Sequence, residues 1–238
     1  MPIFWCLQKI SDSINEIDLT DPYSFLGEQE KEFYQRLKFP KRKGEWLGAR
    51  LVIKDLIRAA DNRWKHKEFQ EIEVLNDKSG APYLVISGGQ GHPGRVSLSH
   101  SNGYVLCAYS PDDISVGVDL ELIEPRPNEF AEDFFTEGEF EQIEKLDIAE
   151  RNLFVTVIWS SKESVLKALS SGLRVDTRSV EVILPGLIVH NAGWTSLGLN
   201  SSLIKNDSLG LVWRREGNFV LTACVPLDAM TNLVRIDL

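Results

Sequence analysis

Two acidic side chains lie two residues apart in the segment 117–121, which reads Gly-Val-Asp-Leu-Glu. Apolar residues alternate around them and predict a strand, so the carboxylates of Asp119 and Glu121 leave the same face. Two like charges side by side destabilise a strand unless a cation lies between them. Magnesium suits this position, because it takes carboxylate oxygens and leaves room for phosphates. An acidic pair on a solvent-facing edge strand is the simpler explanation of these two residues alone.

The segment 159–167, Trp-Ser-Ser-Lys-Glu-Ser-Val-Leu-Lys, predicts part of a helix with a polar stripe. Glu163 and Lys167 are four residues apart and share a helix face. A surface ion pair, worth less than ~1 kcal/mol, is one explanation. Trp159 lies four residues before Glu163 on the same stripe, however, and this combination favours a partly buried polar site.

A third candidate is the segment 96–101, Val-Ser-Leu-Ser-His-Ser, where a predicted strand runs into a turn. His100 could donate a hydrogen bond to a phosphate there, as could the backbone amides of the turn. A polar loop histidine with no ligand is the alternative.

The predicted elements that position these residues occur in a similar order in the two halves of the chain. A strand, helices and further strands occupy residues 1–112, and a similar series occupies 113–238. The dipeptide Asn102-Gly103 predicts a tight hairpin, and Thr136 with Glu139 has the spacing of a helix capping box. We therefore predict an α+β fold of two similar lobes, an N-terminal lobe 1–112 and a C-terminal lobe 113–238, related by a pseudo-twofold duplication that leaves no visible sequence repeat.

The composition excludes several classes of protein. The net charge is −9, and residues 117–150 alone hold twelve acids and two bases, which argues against non-specific nucleic-acid binding. No apolar run is long enough to span a bilayer and no signal peptide is apparent. Three widely spaced cysteines predict buried thiols rather than disulfides. We expect a cytoplasmic monomer that binds neither nucleic acid nor membrane.

Taken together and in this order, the motifs resemble the 4'-phosphopantetheinyl transferase superfamily, in particular the two-lobed class typified by the surfactin-synthetase activator. The resemblance covers about residues 45 to 170. It rests on the three segments above, on Gly-Ala-Pro at 80–82, on Phe134-Phe135 with Glu139, and on Gly-Ala-Arg at 48–50. Family members often have a lysine or arginine where this chain has Ala81.

The resemblance implies a reaction and a set of site residues. The 4'-phosphopantetheine arm of coenzyme A would pass to a serine of an apo carrier protein, with Mg²⁺ as cofactor and adenosine 3',5'-bisphosphate as product. The residues with implied roles are Asp119, Glu121 and Glu163 as metal ligands, Glu163 (ligand or base) and Lys167 as catalytic groups, and Lys43, Arg50, Gly80, Pro82, Ser99, His100 and Lys162 as contacts for coenzyme A. Coenzyme A would lie at the interface of the lobes.

The basic cluster Lys41, Arg42 and Lys43, with Arg50, is the candidate site for the 3'-phosphate. The carrier is expected to be acidic and helical, and to dock near Phe134, Phe135 and Phe140 unless these rings belong to the core. Two alternatives remain open: a catalytically silent module that binds coenzyme A or a carrier, and an unrelated magnesium-dependent phosphohydrolase.

Overall fold

The computed structural model describes residues 1–15, 21, 23–171, 175–185, 193–204 and 208–238. These residues pack into two compact units, the first formed by Met1–Val116 with Thr231–Leu238 and the second by Gly117–Met230. Both units mix helices and strands, which confirms the predicted α+β class. The division falls after residue 116, whereas the sequence predicted it after residue 112. The last eight residues, which the sequence analysis assigned to the second lobe, pack in the first unit.

The first unit is a sheet covered by a long helix. Its sheet has the order β11-β1-β5-β4, with β11 parallel to β1 and the other pairs antiparallel, and β2 and β3 form a separate hairpin. Asn102 and Gly103 connect β4 to β5 with φ angles of 46° and 79°, as the predicted tight hairpin requires. The elements are β1 (Ile3–Lys9), α1 (Ile10–Asn15), α2 (Glu28–Arg36), α3 (Pro40–Ala60), β2 (Ile72–Asn76), β3 (Pro82–Ile86), β4 (Arg95–Ser101), β5 (Tyr104–Ser110) and β11 (Leu233–Arg235).

The second unit is a five-stranded antiparallel sheet of order β6-β10-β9-β8-β7, with α6 packed against β6 and β10. The predicted capping box starts α5: the hydroxyl of Thr136 accepts from the Glu139 amide, and the Glu139 carboxylate accepts from the Thr136 amide. The elements are β6 (Gly117–Leu122), α4 (Asn128–Phe134), α5 (Glu137–Glu144), α6 (Ile148–Ala168), β7 (Val180–Ile183), β8 (Thr195–Ser201), β9 (Leu209–Glu216) and β10 (Phe219–Pro226).

Several boundaries differ from the sequence prediction for local reasons. Helix α3 begins at Pro40, because proline fits the first helical turn, where no amide donor is needed. Strand β4 continues through His100 to Ser101, so His100 lies in a strand and not in a turn. Strand β11 was not predicted, since its three residues gain a partner only by pairing with β1.

Among the residues that the structure describes, each unit contains a buried lysine–glutamate pair. In the first, Lys54 of α3 bonds to Glu30 of α2, and neither side chain is exposed. In the second, Lys162 of α6 lies 2.8 Å from the carboxylate of Glu139 of α5, again with no exposure. The same kind of ion pair therefore connects two helices in both units.

The cysteines and helices also agree with the composition. Cys6, Cys107 and Cys224 are buried and free, as predicted. No helix in the described part of the chain is both long and apolar enough to cross a membrane.

Candidate functional site

Gly117 brings strand β6 against helix α6. A side chain at this position would overlap the backbone of Ser164 and Ala168, so only glycine allows the two backbones to lie this close. The acids of β6 therefore lie beside the polar stripe of α6 within the second unit.

Asp119 and Lys167 form the first contact of this site. The Lys167 Nζ lies 2.6 Å from Oδ1 of Asp119. The Asp119 side chain is almost fully buried, while 29% of the lysine side chain is exposed. One positive charge from α6 thus partly neutralises the acidic pair of β6.

Glu121 is held by two donors. Its Oε1 accepts from the indole Nε1 of Trp159 at 3.1 Å, and its Oε2 pairs with Arg126 at 3.0 Å. Burial and then the charge of Asp119 raise the pKa of Glu121, and Arg126 and Trp159 offset this only in part. The carboxylate therefore remains short of positive charge.

Glu163 completes the group. Burial is the main cause that raises the pKa of Glu163, and the charges of Asp119 and Glu121 raise it further against the opposing effect of Lys167. The three acids interact electrostatically. The structure thus brings Asp119, Glu121, Glu163 and Lys167 into one place.

An aromatic wall borders these acids. The rings of Phe130, Phe134 and Trp159 lie 5.0–5.1 Å apart, centroid to centroid. The guanidinium of Arg126 lies 4.6 Å from the centroid of Phe130. Sequence reasoning did not select Arg126, although it is one of only two bases in the acidic segment 117–150. A positive charge within this acidic segment was the signal that the sequence offered.

The chemistry of the donor set fits a hard divalent cation. Three carboxylates, partly buried and mutually repulsive, offer oxygen ligands to a charge that would relieve the repulsion. Across the described ranges, no three His, Cys, Asp or Glu side chains are already gathered in metal-binding geometry. Asp119 is paired with Lys167, and Glu121 is paired with Trp159 and Arg126. Ion binding would therefore have to exchange some of these contacts.

Lys162 does not have the position predicted for a phosphate contact. Its side chain is fully buried, and its Nζ bonds to Glu139 and to the carbonyl oxygens of Thr177 and Val180. The prediction was wrong because one residue further along a helix points about 100° away, so Lys162 faces α5 while Glu163 faces β6.

Arg50 is also internal rather than available to a 3'-phosphate. It is 7% exposed, donates to the carbonyl oxygen of Val74 at 2.9 Å and to the side chain of Asn76 at 2.8 Å, and stacks over Trp46. Burial lowers the pKa of Arg50 to about 10. Helical periodicity did not show that this position of α3 faces the core.

The other basic candidates of α3 are more accessible. Lys41 is 88% exposed and lies 3.9 Å from Glu45, while Lys43 is half-buried with its Nζ 4.9 Å from the centroid of Tyr34. A phosphate could reach this part of α3 without displacing a buried contact.

The remaining predicted contacts lie on the first unit. Gly80 has φ 93° in the turn between β2 and β3, and its carbonyl oxygen accepts from Asn76, the residue that Arg50 also contacts. Pro82 begins β3, and Ser99 and His100 lie on β4, with His100 exposed. Roles for these four residues toward coenzyme A stay predictions.

Comparison with known proteins agrees with this site. The profile of the 4'-phosphopantetheinyl transferase superfamily matches residues 115–224, which include all four residues of the acidic site. The chain is similar to 4'-phosphopantetheinyl transferase Sfp of Bacillus subtilis, with 32% identity over 106 residues, 44% of each protein.

For two shorter relatives, the alignment with this chain covers a larger share of their length. A holo-[acyl-carrier-protein] synthase of Geobacillus is 36% identical over 83 residues, which are 34% of this chain and 68% of that protein. The synthase of Acholeplasma laidlawii is 32% identical over 85 residues, 34% of this chain and 70% of its own length. The chain belongs to the 4'-phosphopantetheinyl transferase superfamily. It aligns with less than half of the length of Sfp.

Proposed function

We propose that this chain transfers the 4'-phosphopantetheine arm of coenzyme A to a serine of an apo carrier protein and releases adenosine 3',5'-bisphosphate. The observation that carries the proposal is the convergence of Asp119, Glu121, Glu163 and Lys167 on one place in the second unit. The family match over 115–224 and the printed names of the relatives support the same reaction.

Asp119, Glu121 and Glu163 would hold one Mg²⁺, which when bound neutralises charge on the pyrophosphate oxygens. Lys167, already paired with Asp119, contributes positive charge for the departing bisphosphate. Glu163 is also the group that would accept the proton of the carrier serine in this proposal. The proposal therefore includes two alternative roles for Glu163, as metal ligand or as base.

For the nucleotide end, the proposal now rests on Lys41, Arg42 and Lys43, without Arg50. These three residues belong to the part of α3 whose side chains are exposed or half-buried. Charge-removal variants of all three should lose any preference for coenzyme A over its 3'-dephospho form as donor. An unchanged preference would leave these lysines and the arginine as an ordinary solvated face.

An acidic, helical carrier remains part of the proposal, but its predicted docking rings need revision. Phe135 is buried, and Phe134 and Phe140 are partly buried against the core of the second unit. We therefore expect Ala substitutions at Phe134 or Phe140 to affect stability as well as the KM for the carrier.

We further propose that the two lobes arose by duplication. The support is their shared internal pattern: the partners Lys54, Phe69 and Val74 of the first unit recur at constant spacing as Lys162, Thr177 and Val182 in the second. Binding of coenzyme A at the interface of the lobes, a monomeric state and a cytoplasmic location stay predictions.

A transfer assay tests the reaction. Apo carrier proteins from fatty-acid, polyketide and peptide pathways are incubated with the chain and coenzyme A, with Mg²⁺, with chelator, and with Mg²⁺ restored, and the carrier mass is measured. We expect a phosphopantetheine adduct on at least one carrier, lost in chelator and recovered with Mg²⁺. Coenzyme A cleavage without carrier would indicate a phosphohydrolase, and binding without cleavage or transfer would indicate a silent module.

A further inference from the structure

The buried pair Glu139–Lys162 lies directly behind the acidic site. Lys162 and Glu163 are neighbours on α6, and successive helical residues point about 100° apart. One of the two side chains is fixed in the interior of the second unit, and the other belongs to the acidic site. The rotation of α6 that sets Lys162 therefore also sets Glu163.

The bonds of this pair define the position of α6 closely. Lys162 Nζ bonds to Glu139 at 2.8 Å, to the carbonyl oxygen of Thr177 at 3.0 Å and to that of Val180. A lysine ammonium has three donors, and all three are used.

Both carboxylate oxygens of Glu139 also accept hydrogen bonds. Its Oε1 accepts from the amide of Val182 at 2.7 Å, and its Oε2 accepts from the amide of Thr136 at 2.8 Å in addition to Lys162. The carboxylate thus connects the start of α5, strand β7 and helix α6.

The opposite side of α6 is fixed by backbone contacts with the sheet. Gly117 allows β6 to approach Ser164 and Ala168, and the hydroxyls of Ser160 and Thr222 lie 2.9 Å apart. Close packing on this side limits the separation of helix and sheet, whereas the directional bonds of Lys162 limit rotation and sliding.

We propose that Glu139 and Lys162 are positioning residues of the acidic site: they hold α6 in the rotation and axial position that directs Glu163 toward Asp119 and Glu121. The inference rests on the proposed function. Neither residue touches substrate or metal, and both act through Glu163. Buried ion pairs add little net stability compared with apolar side chains of equal volume, but their directional bonds specify one arrangement.

The first unit supplies a matched control. Glu30 accepts from the amides of Gly27 and Val74 and bonds to Lys54, which also donates to the carbonyl oxygens of Phe25 and Phe69. The bonds are of the same kinds as those of Glu139 and Lys162, with Arg50 as an additional charged neighbour 4.0 Å from Glu30, but this pair lies in the unit that does not contain the acidic site. Equivalent substitutions should therefore disturb the same kind of hydrogen-bond network in both units, but only those in the second unit should affect the acidic site.

The experiment compares Glu139→Gln with Glu30→Gln. Glutamine keeps the volume but replaces one acceptor oxygen with an NH₂ donor, so one of the donors around it loses its partner in either unit. The double variants Glu139→Gln/Lys162→Met and Glu30→Gln/Lys54→Met remove both buried charges, so they avoid the unpaired buried ammonium group that opposes folding of the single variants.

Four quantities are measured for each variant: the thermal midpoint, the Kd of Mn²⁺ by electron paramagnetic resonance with saturating coenzyme A and no carrier, and kcat and KM for transfer. We expect both Gln variants to lower the thermal midpoint to a similar extent. Only Glu139→Gln should raise the Kd of Mn²⁺, by about 10-fold, a typical effect of residues that orient metal ligands. It should also lower kcat while the KM for the carrier stays unchanged.

The outcomes separate the inference from the function on which it rests. Equal Mn²⁺ affinity in wild type and both second-unit variants, or equal weakening by the Glu30 and Glu139 variants, would overturn the positioning role while transfer by the wild type still stands. A wild-type protein that neither binds Mn²⁺ nor transfers the arm would instead overturn the proposed function.

Discussion

Asp61 in the first unit and the acids Glu121 and Glu163 in the second have opposite electrostatic environments. In the first, burial would raise the pKa of Asp61, but hydrogen bonds from Arg63 and Tyr109 outweigh burial and hold that pKa below its usual value. In the second, burial and mutual repulsion raise the pKa of Glu121 and Glu163. A carboxylate whose charge is satisfied stabilises a fold, whereas carboxylates left short of positive charge favour binding a cation.

Two strand pairs give a second contrast between the units. Asp119 pairs with Thr222, the fourth residue of β10, and Cys6 pairs with Cys107, the fourth residue of β5. The first unit therefore has an apolar thiol where the second has a buried acid. Under the duplication proposed above, substitution at such positions would explain why the second unit holds the acidic site.

The largest expected effect is a loss of transfer activity on substitution of Asp119, which substitution of Asp61 should not cause. Asp119→Ala should lower transfer by about 100-fold or more, because it removes a metal ligand and the partner of Lys167. The thermal midpoint should change by less than about 4 °C, since the lost ion pair is partly exposed. Mass spectrometry of the carrier and a thermal melt measure the two quantities, and an active Asp119→Ala protein would remove the main support for the metal site.

Gly117→Ala should be the most destabilising small change in the second unit. The added Cβ would overlap backbone atoms of Ser164 and Ala168, which cannot move by rotating a side chain. We therefore expect the free energy of unfolding to fall by about 3 kcal/mol and Mn²⁺ binding to weaken. Gly44→Ala in α3 is the control, because no atom lies within 4 Å of its Cβ and alanine favours the helix by about 0.5–1 kcal/mol. Urea unfolding measures both; equal effects would mean that the close approach at Gly117 is unimportant.

Asp61→Asn should destabilise the first unit without changing transfer by the folded protein. At pH 7 we expect the free energy of unfolding to fall by about 1–3 kcal/mol, because Arg63 and Tyr109 lose a charged hydrogen-bond acceptor. A lowered folded pKa gives stability that is present above the ordinary value of 3.8 and is lost as the pH falls through the lowered value. The difference between wild type and variant should therefore shrink in unfolding curves below that pH. A constant difference from pH 7 to pH 3 would argue against this charge-based account.

The smallest expected effect is a gain in stability. Glu163→Gln removes one of three repelling carboxylates, so in chelator at pH 7 the variant should unfold at slightly higher urea than wild type, by less than about 1 kcal/mol. Saturating Mg²⁺ with coenzyme A should reverse the order, because only wild type keeps all three ligands. A variant that is less stable than wild type in chelator would show that Glu163 contributes to the fold.

Much of the site could be predicted because its signals are local. The same-face position of Asp119 and Glu121 follows from strand periodicity, and the shared face of Trp159, Glu163 and Lys167 follows from helical periodicity. The capping box at Thr136 and the hairpin at Asn102-Gly103 are local as well. Lys162 and Arg50 were assigned to ligands in error, since only packing shows that their helix faces point into the interior.

The sequence by itself determined the α+β class, the period of each element and the acidic motifs, because local geometry and short-range turn chemistry depend on adjacent residues. Tertiary structure decided which charges are satisfied. Arg126 reaches Glu121, Glu139 reaches Lys162 and the last strand returns to β1 only after distant segments pack together. Burial then sets the energy of each charge, and burial is a property of the folded chain rather than of any segment.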